Sequence, residues 1–494
     1  MKLRTLALAS LVLGSAACSG GFGTLRSTSL IVVTIQSGDV GSPQNRLPLP
    51  LTTPASFTVR VEAHRPDGSL DTSFDGVLRM SVKPGTIATT TQRQVQLKNG
   101  VADGVQLDVL ASFGNSRIWA EDLGYLPVDP NGPKKPQCSD GIDNNGNSKI
   151  DFPNDPGCYS AIDDSEDTGS YATGTSSPIF FQLPRIADVR GVSTGGAATT
   201  FPNEQVQMDT GYDPSTNSFS HSLIVTRISP SGFFVTDIDD PRGFNSVMAF
   251  NFSAPPLLRV CDRLRGFAGT ASDFFGFTEI NYPAWETDEW EPSIPGERPC
   301  LVPDPQILKT TDIANNQGLF RYESGLVRLI TDGTLAIHVS SHFGPDLPQG
   351  PGFTPTDTAT NCDLNNDGRV NFTSGDEQTC SKACDADVEC TEYSNFKQRS
   401  GFYLTVTDTA ANPTAVKIQV DASQAASTVD PPTLRGKPVK AFTGSLTYFS
   451  GGSQFTIEAR CSDDVILDQS ASPLPMDQAC VQPRTISDNN AGSN

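Results

Sequence analysis

Short runs of alternating apolar and polar residues, separated by turn residues, constrain the fold of this chain more than any other feature. Such runs have the two-residue period of half-buried antiparallel strands, and examples are Ser29 to Ile35, Ala55 to Ala63, Gly76 to Val82 and Gly104 to Leu110. Asn99-Gly100 between two of them predicts a tight turn. Long helical periodicity is absent, and the 494 residues include 43 Gly and 37 Pro, which favours turns over helices. The sequence therefore predicts an all-β protein of about three domains.

An internal repeat predicts that two of the domains share one fold. Ser231-Gly-Phe-Phe-Val-Thr-Asp recurs as Ser400-Gly-Phe-Tyr-Leu-Thr-Val, and the segment 266–280 recurs loosely as 441–457. We interpret these segments as two copies of one β-module. A long polar stretch before Ser400, which the first copy lacks, indicates an insert in the second copy.

Two resemblances extend this prediction. The pattern of residues 27–124 resembles a bacterial immunoglobulin-like domain, which implies a β-sandwich. The order of strands and aromatic turns in both repeats resembles OB-like domains of exported bacterial proteins, which implies five-stranded, partly open β-barrels. We predict the following segments: 1–17, signal peptide; 18–26, lipid tether; 27–124, immunoglobulin-like β-sandwich; 125–175, linker with a Cys-bounded calcium-type loop; 176–295, first OB-like β-barrel domain; 296–480, second OB-like β-barrel domain with a calcium-type insert at about 356–398; 481–494, disordered tail.

The N-terminus predicts export. Lys2 and Arg4 precede a short apolar run, and Ser15-Ala16-Ala17 supplies small residues before Cys18, as in a signal peptide. The apolar run is shorter than the roughly 20 residues that a membrane-spanning helix needs. The junction resembles the bacterial lipobox, although Ser15 stands where Leu or Val is usual. The resemblance implies that Cys18 is lipidated and anchors the protein at the bacterial outer membrane or cell surface; a plain secretory signal cut after Ala17 is the alternative.

The remaining cysteines predict disulfides. Without Cys18, the 11 cysteines leave an even, locally clustered set, as expected in an exported protein. We predict the pairs Cys138–Cys158, Cys261–Cys300 and Cys461–Cys480. Cys362, Cys380, Cys384 and Cys390 allow three connectivities that the sequence does not separate.

Two short loops carry Asp and Asn at alternating positions. Ca²⁺ takes about six to eight oxygen ligands, and loops of this spacing can supply them from one short segment. The second loop resembles those of EF-hands and dockerins, although Ser374 replaces the usual acidic closing residue. Its expected ligands are Asp363, Asn365, Asp367, the carbonyl of Arg369, Asn371 and a closing Asp376 or Glu377.

The first loop resembles Cys-bounded, Asp/Asn-rich repeats of myxobacterial surface proteins and, less closely, thrombospondin type-3 repeats. Its expected ligands are Asp143, Asn145, Asn147, the carbonyl of Lys149, Asp151 and a closing Asn154 or Asp155, although Ser148 stands where Gly is preferred. Few carboxylates predict weak, structural calcium binding, with dissociation constants on the order of 10⁻⁴ to 10⁻³ M. The alternative is an ordinary turn region held by a disulfide.

The chain resembles surface lipoproteins of myxobacterial (deltaproteobacterial) type, and we expect it to be non-enzymatic. The sequence lacks His-Glu-x-x-His and phosphate-binding glycine motifs, and its net charge of −21 opposes nucleic-acid binding. We expect a structural or binding scaffold whose partners are the membrane, through the lipid, and a glycan or another envelope protein. The alternatives are carbohydrate recognition, with aromatic residues on the barrels stacking on sugar rings, or an accessory role beside an extracellular hydrolase or transport system. The aromatics that could stack nucleic-acid bases on an OB-like barrel are Phe274, Phe275, Phe277, Tyr448 and Phe449. Because the acidic charge opposes nucleic-acid binding, we expect these aromatics to fill the barrel or its hairpin.

Overall fold

The protein is all-β, as predicted: of the residues that the structure describes, 42% are in strands and 8% in helices. A computed structural model describes residues 30–122, 135–158, 161, 166, 171–192, 198–340, 400–425, 429–434, 436–449 and 453–481. The predicted signal peptide with Cys18, the calcium-type insert with its four cysteines, and the tail beyond Val481 lie outside the described residues.

A two-sheet β-sandwich comes first. Its strands are β1 (Leu30–Ser37), β2 (Ala55–His64), β3 (Val77–Lys83), β4 (Thr86–Ile87), β5 (Gln94–Gln96), β6 (Val101–Leu110), β7 (Asn115–Asp122), β8 (Gly174–Thr175) and β9 (Ile179–Phe180). One sheet has the order β1-β2-β6-β4 and the other the order β5-β3-β7-β8, with β9 also paired to β7. Alternate side chains, such as Val59 and Val61, fill the core between the sheets. Asn99 and Gly100 both have positive φ, as the predicted two-residue hairpin turn requires.

The sandwich extends past the predicted domain boundary at residues 175–176. Strand β8 is the last part of the predicted linker and β9 follows it; both pair with β7, and Phe181 packs into the sandwich core. Strands of two residues are too short to show an alternating pattern, so the sequence did not reveal them. The Cys138–Cys158 loop is therefore an excursion between two paired strands of one sheet rather than a connection between domains.

The next segment forms a barrel, here called the first barrel. It contains α1 (Ile186–Val189), β10 (Gln205–Gln207), β11 (Tyr212–Asp213), β12 (Ser218–Phe219), β13 (Leu223–Ser229), β14 (Gly232–Asp237), β15 (Ser246–Phe250), β16 (Arg263–Phe274) and β17 (Phe277–Asp288). Five strands close in the order β13-β14-β15-β17-β16 and back to β13. Within this ring only β15 and β17 run parallel.

The segment that follows, here called the second barrel, repeats this strand order. It contains β18 (Gln306–Ile307), α2 (Thr310–Ile313), α3 (Asn316–Leu319), β19 (Leu326–Ile330), β20 (Leu335–Val339), β21 (Gly401–Asp408), β22 (Ala415–Asp421), β23 (Ala441–Phe449), β24 (Gln454–Glu458) and β25 (Val465–Ile466). The order β20-β21-β22-β24-β23 matches the first barrel, and again the third and fifth strands are parallel. Among the described residues, however, no strand pairing between β20 and β23 closes the ring. The N–H groups of Gly436 and Val439 donate to carbonyls of Val339 and Ile337 at 2.8 and 2.9 Å, which joins the segment before β23 to β20.

Helical structure is confined to short segments among the described residues. Short 3-10 helices occupy Thr90–Arg93, Gln137–Ser139, Phe320–Tyr322, Ser423–Ala425, Pro431–Leu434 and Ser462–Asp464. None of the helices in this part of the chain has the length and apolarity needed to cross a bilayer.

The two barrels pack against each other. Phe234, Met248 and Phe277 of the first barrel form a buried cluster against Tyr448 of the second. This contact covers part of the outer face of β14 and β15, because Phe234 and Met248 are cross-strand partners there.

Candidate functional site

The Cys138–Cys158 loop is held by a disulfide with a Cα–Cα distance of 5.7 Å. Cross-links Cys261–Cys300 and Cys461–Cys480 also form, so all three pairs that were predicted individually are present. Closing a loop of this length stabilises a fold by roughly 3 kcal/mol in the chain-entropy account. The disulfide thus constrains this polar segment whether or not a metal binds.

Asp155 is the point at which the predicted ligands of this loop meet. Its side chain is buried, with 1% of the residue exposed. Asn145 and Asn147 both donate from their side-chain amides to Asp155 Oδ2, at 3.2 and 3.0 Å. Asp143 organises the turn, since its two carboxylate oxygens accept the N–H groups of Gly146 and Ser148 at 2.7 and 2.8 Å. Four of the six predicted positions therefore belong to one hydrogen-bonded cluster.

The other two predicted positions are placed differently. The carboxylate of Asp151 accepts the N–H of Gly141 at 3.0 Å and closes the start of the loop. Lys149 is exposed, and its N–H donates to Asn147 Oδ1 at 2.7 Å. These contacts give both residues a role in the turn that does not depend on a cation.

Glu166 supports the loop and was not predicted from the sequence. It is buried, and its carboxylate accepts the N–H groups of Asn144 and Asp151 at 2.6 and 2.9 Å. Its carbonyl also accepts from the Asn145 amide at 2.6 Å. A buried carboxylate that receives several N–H groups from one loop fixes that loop in place, because leaving it unpaired costs more than an ordinary hydrogen bond contributes.

The donor set suits a weak calcium site better than a strong one. Calcium prefers oxygen ligands. Rotating the amides of Asn145 and Asn147 would turn oxygen towards Asp155, but it would break the hydrogen bonds that these oxygens accept from the N–H groups of Asn147 and Lys149. Among the described residues, no three carboxylates of this loop lie within 4.8 Å of one another; the group that meets this distance is Cys461, Asp463 and Cys480. The sulfurs of that group are joined in a disulfide and are not free to bind metal.

A charged network lies beside a cavity of about 740 Å³ between the sandwich and the first barrel. Arg185 binds Asp237 through two hydrogen bonds of 2.7 Å, and Arg242 bridges Asp188 and Asp240 at 2.6 Å each. The positive charges lower the pKa of Asp237 and Asp240 against the opposing effect of burial. The arginines and aspartates of this network are therefore paired with side chains of opposite charge.

His221 belongs to this network. Its ring nitrogens face Asp209 and Asp237 at 3.3 and 3.5 Å. Burial acts to lower the pKa of His221, but the two carboxylates outweigh it and raise that pKa to about 9. The imidazole is therefore protonated at neutral pH and unable to accept a proton as a general base.

A second cavity, of about 720 Å³, lies between the sandwich and the first barrel; we call it the groove. The small residues Gly266, Ala268 and Ala284, here called the floor, line the groove together with Trp285, whose ring packs against Phe233 of the barrel core. Its polar lining side chains are Arg46, Asn115, Gln205, Gln207 and Glu286. The groove thus combines an aromatic ring with several hydrogen-bonding groups.

The predicted barrel aromatics divide into a buried and an exposed set. Phe277 is buried and Tyr448 packs beside it. Phe274, Phe275 and Phe449 are 58%, 56% and 39% exposed. They lie at the tips of the β16–β17 and β23–β24 hairpins, where the rings of Phe275 and Phe449 approach to 5.6 Å between centroids.

Two further exposed aromatics were not predicted as site residues. Phe252 and Tyr282 are 67% and 73% exposed, and their ring centroids lie 5.7 Å apart. Both have positive φ, a region that bulky residues rarely adopt. No sequence pattern marks such residues, because their exposure and backbone conformation depend on the folded chain.

Comparisons with known proteins give no match. No protein-family model, curated protein or solved structure matches the chain.

Proposed function

We propose that this chain is a non-enzymatic, exported surface lipoprotein of myxobacterial type, whose β-domains hold a binding face away from the membrane. In this proposal the sandwich is immunoglobulin-like and the barrels are OB-like, lipid on Cys18 anchors the chain, and weakly bound calcium stiffens its oxygen-rich loops. The observation that carries the proposal is the gathering of Asn145 and Asn147 at the buried carboxylate of Asp155. A disulfide-braced loop of this kind suits an exported scaffold.

The first test measures calcium binding at the Cys138–Cys158 loop. With a dissociation constant of about 1 mM, calcium at about 10 mM would stabilise the bound form by roughly 1.4 kcal/mol. We therefore expect calcium, but not magnesium, to slow hydrogen exchange in residues 138–158 of the full chain. Asp155→Asn should remove this effect, because it replaces the carboxylate at which the other side chains meet.

Asp140→Asn is the matched control. It makes the same chemical change in the same loop, but Asp140 contacts Ile142 and Asn144 instead of Asp155. The calcium proposal is contradicted if exchange is insensitive to calcium, or if Asp155→Asn retains the protection of the unsubstituted protein.

The second test concerns the anchor. Mass spectrometry of the native protein should find acyl chains on Cys18, and Cys18→Ser should release the protein from the membrane fraction. Two acyl chains anchor stably because each buried methylene contributes about 0.8 kcal/mol. A mature N-terminus that begins at Cys18 without added mass would mean plain secretion.

Carbohydrate recognition is the second candidate function. The exposed rings of Phe252, Phe274, Phe275 and Tyr282 favour it, because solvent-exposed aromatics gain little from folding but can bind a ligand with apolar faces. A glycan array, probed with and without chelator, separates an inert scaffold from a glycan-binding protein.

A further inference from the structure

We propose that the groove between the sandwich and the first barrel binds an uncharged saccharide chain. The inference rests on the proposed surface function and names a ligand class for it. It differs from binding at the hairpin-tip aromatics, because the groove lies beside β10, β16 and β17 on the sandwich side of the first barrel.

The shape of the groove suits a chain-like small ligand. Its volume of about 720 Å³ lies in the usual range of ligand sites, roughly 300–1,000 Å³, and such sites favour domain interfaces. Gly266, Ala268 and Ala284 leave the floor free of large side chains. A Cβ added at Gly266 would meet its nearest neighbour, Glu286 Cβ, at 3.5 Å, so the backbone itself does not require glycine there.

The groups in the groove favour an uncharged ligand. Asn115, Gln205 and Gln207 are exposed, and their amides both donate and accept hydrogen bonds, as hydroxyl groups of a sugar require. Arg46 and Glu286 are the two charged lining residues, and their charges balance. Arg46 is also engaged already, since it donates to Phe181 O and Asn115 Oδ1 at 2.9 and 3.1 Å. In a protein of net charge −21, a balanced groove offers no attraction for a polyanion.

Tyr282 and Phe252 form a pair of exposed aromatics that are not part of the groove lining. We place them beside the groove because Tyr282 lies two residues before Ala284 on β17. Both side chains are mostly exposed, and their φ values of 51° and 58° place them in the left-handed region, which costs roughly 1–2 kcal/mol per residue. Neither burial nor backbone preference accounts for aromatic residues at these positions. A sugar ring does, because its C–H face packs on an exposed aromatic ring while its hydroxyl groups reach the neighbouring amides.

The test measures binding of neutral hexasaccharides to the full chain by titration calorimetry. Gluco-, xylo-, manno- and N-acetylglucosamine oligomers serve as probes, and we expect at least one to bind. Ala284→Trp places a large ring on the exposed floor and should weaken binding at least about tenfold, equivalent to roughly 1.4 kcal/mol. Tyr282→Gly should weaken binding by a similar factor and should not lower Tm, because glycine tolerates the positive φ.

Phe449→Ala is the matched control, since it removes an exposed aromatic ring outside the groove, and it should leave binding unchanged. The proposal is overturned if no neutral oligomer binds at millimolar concentration. It is also overturned if Ala284→Trp binds normally while Phe449→Ala does not, or if a sulfated polysaccharide or phosphatidylcholine vesicles bind in preference to the neutral oligomers. Acylation of Cys18 and calcium protection of residues 138–158 are measured separately, so a failure of saccharide binding is distinguishable from a failure of the proposed surface function.

Discussion

At the residue scale, His221 should make stability depend on pH above neutrality. Its pKa in the folded protein, about 9, lies above the ordinary value of 6.5. The stabilisation is therefore complete below pH 6.5 and declines as pH rises through about 9. Each pKa unit corresponds to about 1.4 kcal/mol, so His221 contributes at most about 3.5 kcal/mol.

Urea unfolding between pH 6 and 10 tests this prediction. His221→Gln should be less stable than the unsubstituted protein at pH 6, and the stability difference should narrow towards pH 9 and above. Asp209 and Asp237 have lowered pKa values, so their own contributions are lost only as pH falls into the acid range. A stability difference that is constant across this range would show that protonated His221 does not interact with the two carboxylates as the structure indicates.

Residues of the Cys138–Cys158 loop, which lie together in one short segment, were predicted from the sequence. Residues whose partners are distant along the chain were not. Asn145, Asn147 and Asp155 lie in one short segment, so their spacing alone indicates a shared centre. Folding brings Glu166 and His221 to their partners. Glu166 accepts the N–H of Asp151, and His221 faces Asp237, which lies 16 positions further along the chain. Their burial also has no local sequence signal, because isolated acidic and histidine residues are more often exposed.

At the element scale, the fourth strand of each barrel carries a repeated Phe-x-Gly. Phe267 and Phe442 fill the two barrel cores, and Gly269 and Gly444 follow two positions later. A Cβ at Gly269 would lie 2.4 Å from Ile280 Cγ2 and 2.9 Å from Asn281 O, and one at Gly444 would lie 2.3 Å from Glu458 O. Each glycine therefore permits close approach of the fifth strand.

Gly269→Ala and Gly444→Ala should each lower stability by about 1–3 kcal/mol, the usual cost of overpacking. Gly266→Ala is the matched control in the same strand, since its nearest neighbour at 3.5 Å leaves room for a methyl group. Differential scanning calorimetry of the three variants provides the measurement. Equal Tm values for Gly266→Ala and Gly269→Ala would mean that strand spacing does not depend on the repeated glycine.

The internal repeat predicted from the sequence that the two barrels share one fold. It did not predict every element that they share. Both barrels also contain a short helix in which an aspartate accepts the backbone N–H three residues earlier: Asp188 from Arg185 at 3.0 Å and Asp312 from Lys309 at 2.8 Å. Four-residue helices are too short to show helical periodicity. Their only signal is a basic residue followed three positions later by Asp, which is weak in a single sequence.

At the scale of the whole molecule, the barrels are joined by an ion pair that is removed from solvent. Arg190 follows α1 of the first barrel, Glu323 precedes β19 of the second, and both side chains are 0% exposed. Burial lowers the pKa of Arg190 and raises the pKa of Glu323, while their mutual attraction opposes both shifts. Arg190 also donates to Phe320 O at 2.9 Å, and Glu323 accepts the N–H of Thr278 at 3.3 Å. The pair therefore connects several segments of both barrels.

Removing one member of this pair should cost more than removing both. Arg190→Met leaves the Glu323 carboxylate buried without its counter-charge, and breaking a buried pair in this way costs about 3–5 kcal/mol. The double variant Arg190→Met, Glu323→Leu replaces both charges with apolar side chains and should recover most of that loss. The measurement is hydrogen exchange of β14 and β23, one strand from each barrel, at increasing urea concentration. We expect both barrels of the unsubstituted protein to unfold together, and the two barrels of Arg190→Met to unfold at separate urea concentrations. If the double variant is as unstable as the sum of its two single variants, then the two side chains act independently and the ion pair is not what couples the barrels.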